Sequence, residues 1–139
     1  MIIMSVDLGL ARTGIAVSDE SETFAFPKEV IAERNEEKLI EKICVAAAEV
    51  KAGRIVVGLP KNMDGTLGER AVACGEAAKK IADKSGIQTV MFDERCTTVS
   101  AHTYLNMSDV RGKKRKNVVD AVAATVILED YLRSLKNNV

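Results

Sequence analysis

Met1-Ile2-Ile3-Met4-Ser5-Val6-Asp7-Leu8-Gly9 opens the chain with a nearly continuous apolar run that ends in one carboxylate. Such a run is the mark of a β-strand buried on both faces. Counting by twos puts Ile3, Ser5, Asp7 and Gly9 on one side of it. An unpaired buried carboxylate costs several kcal/mol or takes up a proton, so Asp7 needs a partner. Ser5 and Gly9 are small and leave space beside it for a metal ion or a phosphate. The alternative is a turn-forming aspartate at the strand end. What separates the two is whether other acids converge on this point.

Outward from this run, Arg12-Thr13-Gly14 reads as a tight turn and residues 13–18 as a second strand. A third strand spans residues 23–31, with Pro27 marking an edge or bulge. These three form an antiparallel meander. Asn35 caps a helix carrying Leu39, Ile43, Ala46, Ala47 and Val50, which Gly53 ends. Residues 54–59 form a short apolar strand stopped by Pro60. A loop with an Asp64-Gly65 turn follows. Thr66 and Glu69 are spaced as a capping box for a helix bearing Leu67, Ala71, Cys74, Ala78 and Ile81, closed by Gly86. Residues 87–92 make the last strand and run into Asp93-Glu94-Arg95. Thr97 or Thr98 caps a short helix containing Val99 and Leu105. After a basic loop, Asn117 caps a final helix carrying Val118, Val122, Thr125, Val126, Leu128, Leu132 and Leu135. Helical connections between the later strands imply parallel pairing beside the first. The expected architecture is an α/β mixed five-stranded sheet, a three-strand meander plus two parallel strands, with helices on both faces.

The chain of 139 residues is expected to be one domain, residues 1–139, and its 47% apolar content supplies a core. No apolar run approaches the ~20 residues of a membrane span, and the start lacks the pattern of a secretory signal, so a cytoplasmic location without membrane association is expected. Cys44, Cys74 and Cys96 are odd in number and widely spaced, which argues against a disulfide framework and a structural zinc site. His102 is the sole histidine. Net charge is zero, from 20 basic and 20 acidic residues, yet Arg111, Lys113, Lys114, Arg115 and Lys116 fall within six positions. A run of this kind is either a solvated loop or a grip on nucleic-acid phosphates.

Sites in open α/β sheets form outside the strand ends where strand order reverses. A central first strand brings Asp7 near Asp93 and Glu94 at the end of the fifth. Asp93 shares a face with Met91, and Glu94 shares one with Val90 and Phe92, so only one of the two readily faces Asp7. Asp120 falls in the first turn of the last helix, where an acid would suit the helix dipole. Against that, it is the only charge between Asn117 and Leu128. Three acids in apolar surroundings repel one another unless a cation neutralises them. Oxygen donors alone suit Mg²⁺ or Mn²⁺. A pair of such ions about 4 Å apart would serve phosphodiester hydrolysis. With the basic run before Asp120, the residues point to metal-dependent cleavage of nucleic acid.

Val6-Asp7-Leu8-Gly9-Leu10-Ala11-Arg12-Thr13-Gly14-Ile15-Ala16-Val17-Ser18-Asp19 resembles the opening signature of the YqgF-type family. Val57-Gly58-Leu59-Pro60-Lys61-Asn62-Met63-Asp64-Gly65, Asp93-Glu94-Arg95-Cys96-Thr97-Thr98 and Lys116-Asn117-Val118-Val119-Asp120 resemble its later blocks, in order and across nearly the whole chain. These are pre-16S rRNA nucleases, also described as Holliday-junction-resolvase-like. The resemblance implies an RNase H-like fold. It implies Asp7, the Asp93/Glu94 pair and Asp120 as metal-binding acids, with Glu94 favoured within the pair. It also implies cytoplasmic trimming of the 5′ end of the small-subunit rRNA precursor, a step of ribosome biogenesis, with structured RNA or a ribosomal particle as partner. Cys96 stands where the family often has leucine, which leaves the acids untouched.

Arg95 either holds a substrate phosphate or pairs with Asp93. Arg12 approaches the same site or sits as an exposed turn residue, and Lys61 and Asn62 are placed for phosphate contacts. Cys96 reads as a packing residue, since no base is arranged beside its thiol. With aromatics at 4%, backbone or shape reading outweighs base stacking. The main alternative is a Holliday-junction resolvase acting on branched DNA, which needs a dimer for symmetric cuts; the sequence is compatible with a monomer or a weak homodimer. Two lesser alternatives are an actin-like nucleotide-binding domain, suggested by Asp7-x-Gly9 and the Thr13-Gly14 turn, and a non-catalytic nucleic-acid-binding module.

Overall fold

The computed structural model describes residues 1–59, 68–93 and 112–137, the side chains of residues 112–121 and 137 excepted. Strands β1 (Ile3–Asp7), β2 (Arg12–Ser18), β3 (Ala25–Ala32), β4 (Arg54–Leu59) and β5 (Gln88–Asp93) form one sheet in the order β3-β2-β1-β4-β5. β1 pairs antiparallel with β2 and parallel with β4, which makes it the central strand of the expected mixed sheet. β3 is an edge, and its register with β2 shifts between Ile15 and Ala16, opposite Glu29 and Pro27. The bulge at the proline follows from the N–H that proline lacks.

Alternation along the strands splits the core in two. Met4, Val6, Ile15, Ile55 and Val57 point to one face and pack on helix α1 (Glu36–Val50) and helix α2 (Glu69–Ser85) through Leu39, Ile43, Ala47, Ala78 and Ile81. Ile3, Ala16 and Val56 point to the other and pack on helix α3 (Gly112–Asn137) through Ala124, Ile127, Leu128, Tyr131 and Leu132. Burying both faces explains why β1 and β4 read as continuous apolar runs instead of alternating ones. Among the described residues, no helix is long and apolar enough to cross a membrane.

Asn35 caps α1 as expected, its side chain accepting the Lys38 N–H at 3.0 Å. Three helix ends differ from expectation. Lys51, and not Gly53, takes the left-handed turn that ends α1 (φ 56°), while the Gly53 N–H bonds to the Ile2 carbonyl at 2.8 Å. The N-cap of α2 is Gly68, with no side-chain cap bond, so Glu69 opens the helix and does not close a capping box with Thr66. Most consequential, α3 begins at Gly112 and not after Asn117. Lys113, Lys114, Arg115 and Lys116 therefore lie on a helix instead of a loop. The short helix expected between Thr97 and Leu105 lies outside the described residues.

Candidate active site at the end of the central strand

Asp7 is the last residue of β1 and is half-buried. Its cross-strand partner on β2 is Gly14. On the other side Val6 is level with Val57, so the next step sets Asp7 beside Gly58, which in turn pairs with Phe92 of β5. Neighbours across a sheet share a face. The carboxylate is thus flanked by two residues without side chains, on the face that also carries Ser5. The glycine flanks arise from strand register, which the sequence alone did not reveal.

The turn that follows is closely built. Any Cβ at Gly9 would overlap the Arg12 carbonyl oxygen. The Gly9 N–H points to the Thr13 hydroxyl at 3.5 Å, and Thr13 is fully buried. The Arg70 guanidinium, from the first turn of α2, donates to the Leu8 carbonyl.

Asp7's face is the one covered by α3. The Ser5 hydroxyl donates to the Ala124 carbonyl at 2.6 Å in a fully buried bond. At the other end of the strand Arg54, level with Ile3, donates to the Tyr131 hydroxyl at 2.9 Å. The helix therefore runs antiparallel to β1, with residue 131 beside the strand's start and residue 124 beside its middle. Residue 120 lies one helical turn before Ala124, a rise of about 6 Å. Asp7 lies two residues beyond Ser5, about 6.6 Å along the strand. The backbone at Asp120 consequently falls toward the Asp7 end of the sheet. With the helix starting at Gly112, Asp120 is two turns inside. A capping or dipole role at the helix start therefore no longer accounts for it.

Asp93 pairs with Leu59, continuing the row of Val57 and Met91. That row belongs to the core beneath α1 and α2, so Asp93 sits on the face opposite Asp7. Arg12 begins β2, opposite Ala32, at the end of the sheet where Asp7 lies. Glu94, Lys61, Asn62, Arg95, Cys96, His102 and Arg111 lie outside the described residues. Among the described residues no three metal-ligating side chains gather together.

Residues 1–134 match the RuvX family, described as Holliday junction resolvase. The chain belongs to the RuvX family. A Bacillus thuringiensis protein named "Putative pre-16S rRNA nuclease" is 40% identical over 137 residues, covering 96% of this chain and 99% of that one. A Bacillus cytotoxicus protein of the same name is 38% identical over 136 residues with the same coverage. T. thermophilus RuvC, solved in complex with Holliday junction substrate, superposes with a TM-score of 0.63 at 12% identity, covering 99% of this chain and 96% of that one. That likeness is one of fold, and it makes the architecture of this RuvX-family chain RNase H-like.

Two residues of this RuvX-family site escaped the sequence reading. Ser5 was noted for its size alone, whereas its hydroxyl fixes the height of α3 against β1. Arg70 went unremarked, although a cation in the first turn of a helix opposes the helix dipole and is itself a signal of another duty.

Proposed function

We propose that this RuvX-family chain is a metal-dependent nuclease, a single domain over residues 1–139, that hydrolyses phosphodiester bonds in the precursor of 16S rRNA during ribosome biogenesis. The observation that carries the reading is Asp7, held at the end of the central strand between Gly14 and Gly58. Asp7, Glu94 and Asp120 are the residues that would hold Mg²⁺ or Mn²⁺. The all-oxygen donor set fits a hard cation. Bound there, a pair of ions would activate a water and stabilise the leaving oxygen. Glu94 is preferred to Asp93 because alternation along β5 turns Asp93 to the opposite face.

The protein's own contribution is positional. β1 and the bond from Ser5 to Ala124 set the strand and helix that carry two of the acids at a fixed height. Lys113, Lys114, Arg115 and Lys116, in the opening turns of α3, lie four to seven residues before Asp120 and add positive charge at the same end. With Arg12, Lys61, Asn62, Arg95 and Arg111 they form the surface for the phosphate backbone. The relatives' name and an rRNA substrate favour the cytoplasm, with structured RNA or a ribosomal particle as partner.

A second reading is resolution of branched DNA, favoured by the family's description and by the fold of RuvC. Symmetric incision of a junction requires two sites in a dimer. The test is Mn²⁺-dependent cleavage of precursor rRNA beside a four-way DNA junction, with solution mass measured in parallel. Preferential cutting of RNA by a monomer or weak homodimer supports the first reading. Paired symmetric cuts in the junction by a stable dimer support the second.

A further inference from the structure

Arg70 stands in the first turn of α2, where the helix dipole disfavours a cation. The helix cap there is Gly68, which offers no side-chain bond. Nothing in the helix's own needs selects an arginine at this position. It donates instead to a remote partner, the Leu8 carbonyl, 62 positions earlier in the chain. Leu8 is the residue immediately after Asp7, beyond the last pair of the β1–β2 ladder. The same turn is closed by Gly9, which fits only because it lacks a Cβ against the Arg12 carbonyl. The main chain leaving Asp7 is therefore gripped at two consecutive residues, by contact at Gly9 and by a charge-assisted hydrogen bond at Leu8.

We infer that Arg70 is a positioning residue of the Asp7 site: it braces the Leu8 carbonyl from α2 and so fixes the angle at which the Asp7 carboxylate meets its cation. The inference rests on the nuclease reading for its consequence in catalysis, while the bracing itself does not. An exposed arginine that bonds a turn carbonyl stabilises the fold little, so its removal acts on the site more than on stability. A lysine can reach the same carbonyl as a single-point donor, but it lacks the planar fork that fixes orientation.

The test uses the full chain with Arg70→Ala and Arg70→Lys, and Asp7→Asn as control. Five quantities are measured: Mn²⁺ affinity by calorimetry without nucleic acid, kcat and KM on precursor rRNA, the urea midpoint, and hydrogen exchange of the Gly9 amide. Arg70→Ala is expected to weaken Mn²⁺ binding and lower kcat, each by about tenfold, the size typical of groups that orient a metal ligand. The Gly9 amide should exchange faster, with KM and the urea midpoint nearly unchanged, and Arg70→Lys should recover part of each loss. A rise in KM alone, with kcat and Mn²⁺ affinity intact, would make Arg70 a substrate contact and overturn the inference. A drop in the urea midpoint that accounts for the lost activity would overturn it too, as would no change in any readout. Absence of Mn²⁺-dependent cleavage by the parent chain would instead defeat the nuclease reading, and cleavage retained by Asp7→Asn would remove Asp7 from the metal site; in either case Gly9 exchange in Arg70→Ala would still decide whether Arg70 braces the turn.

Discussion

Asp19 shows how much one carboxylate does in this chain. Its Oδ1 accepts the N–H groups of Thr23 and Phe24 at 2.8 and 2.9 Å, and its Oδ2 accepts the Ser21 hydroxyl. These bonds build the β2–β3 turn, where Glu22 adopts φ 58°. The Ser21 hydroxyl first, then the Phe24 amide, favour the charged form and hold the Asp19 pKa at about 2, below its ordinary 3.8. A depressed folded-state pKa gives stability that is complete above the unfolded value and is lost as pH falls through the folded one. Asp19→Asn should therefore lower the urea midpoint at pH 6, and its gap from the parent protein should close between pH 4 and pH 2. A gap that is constant with pH would contradict this assignment. At Gly9, where a Cβ meets the Arg12 carbonyl, Gly9→Ala should cost about 1–3 kcal/mol in urea unfolding, the scale of overpacking. It should also impair cleavage, because the strained turn adjoins Asp7.

Among the elements, the contact of β1 with α3 decides whether the acids can meet. Ser5→Ala removes the buried donor to the Ala124 carbonyl and should cost about 1 kcal/mol in unfolding free energy. The strands were legible in the sequence because both sheet faces are buried, so β1 and β4 carry unbroken apolar runs. The helix ends were less so. Asn117 is a good capping residue, but the preceding lysines and arginines are strong helix formers and α3 continues back to Gly112. Thr66 and Glu69 have capping-box spacing, yet the chain enters α2 at Gly68. A local cap signal competes with the path the chain must take from β4, and that path is set by tertiary packing. The same limit applied to the site. Asp7 stood out as a lone charge in an apolar strand, whereas Gly14 and Gly58 became its neighbours only through pairing register. Arg70 meets Leu8 across 62 residues of sequence, a separation no local pattern conveys.

At the scale of the whole molecule, zero net charge conceals an uneven distribution. Lys113 to Lys116 lie in the opening turns of α3, and antiparallel packing on β1 carries that end of the helix toward Asp7. Nucleic-acid affinity should depend on these charges through counterion release. Replacing Lys113, Lys114 and Lys116 by alanine should weaken binding and flatten the slope of log K against log salt by about 2 to 3. An unchanged slope would place the phosphate contacts elsewhere. Whether Asp7 holds the catalytic cation is decided by Mn²⁺-dependent cleavage of precursor rRNA by Asp7→Asn. Cleavage should be abolished while the urea midpoint and RNA affinity stay close to those of the parent protein. Undiminished cleavage by Asp7→Asn would contradict that role.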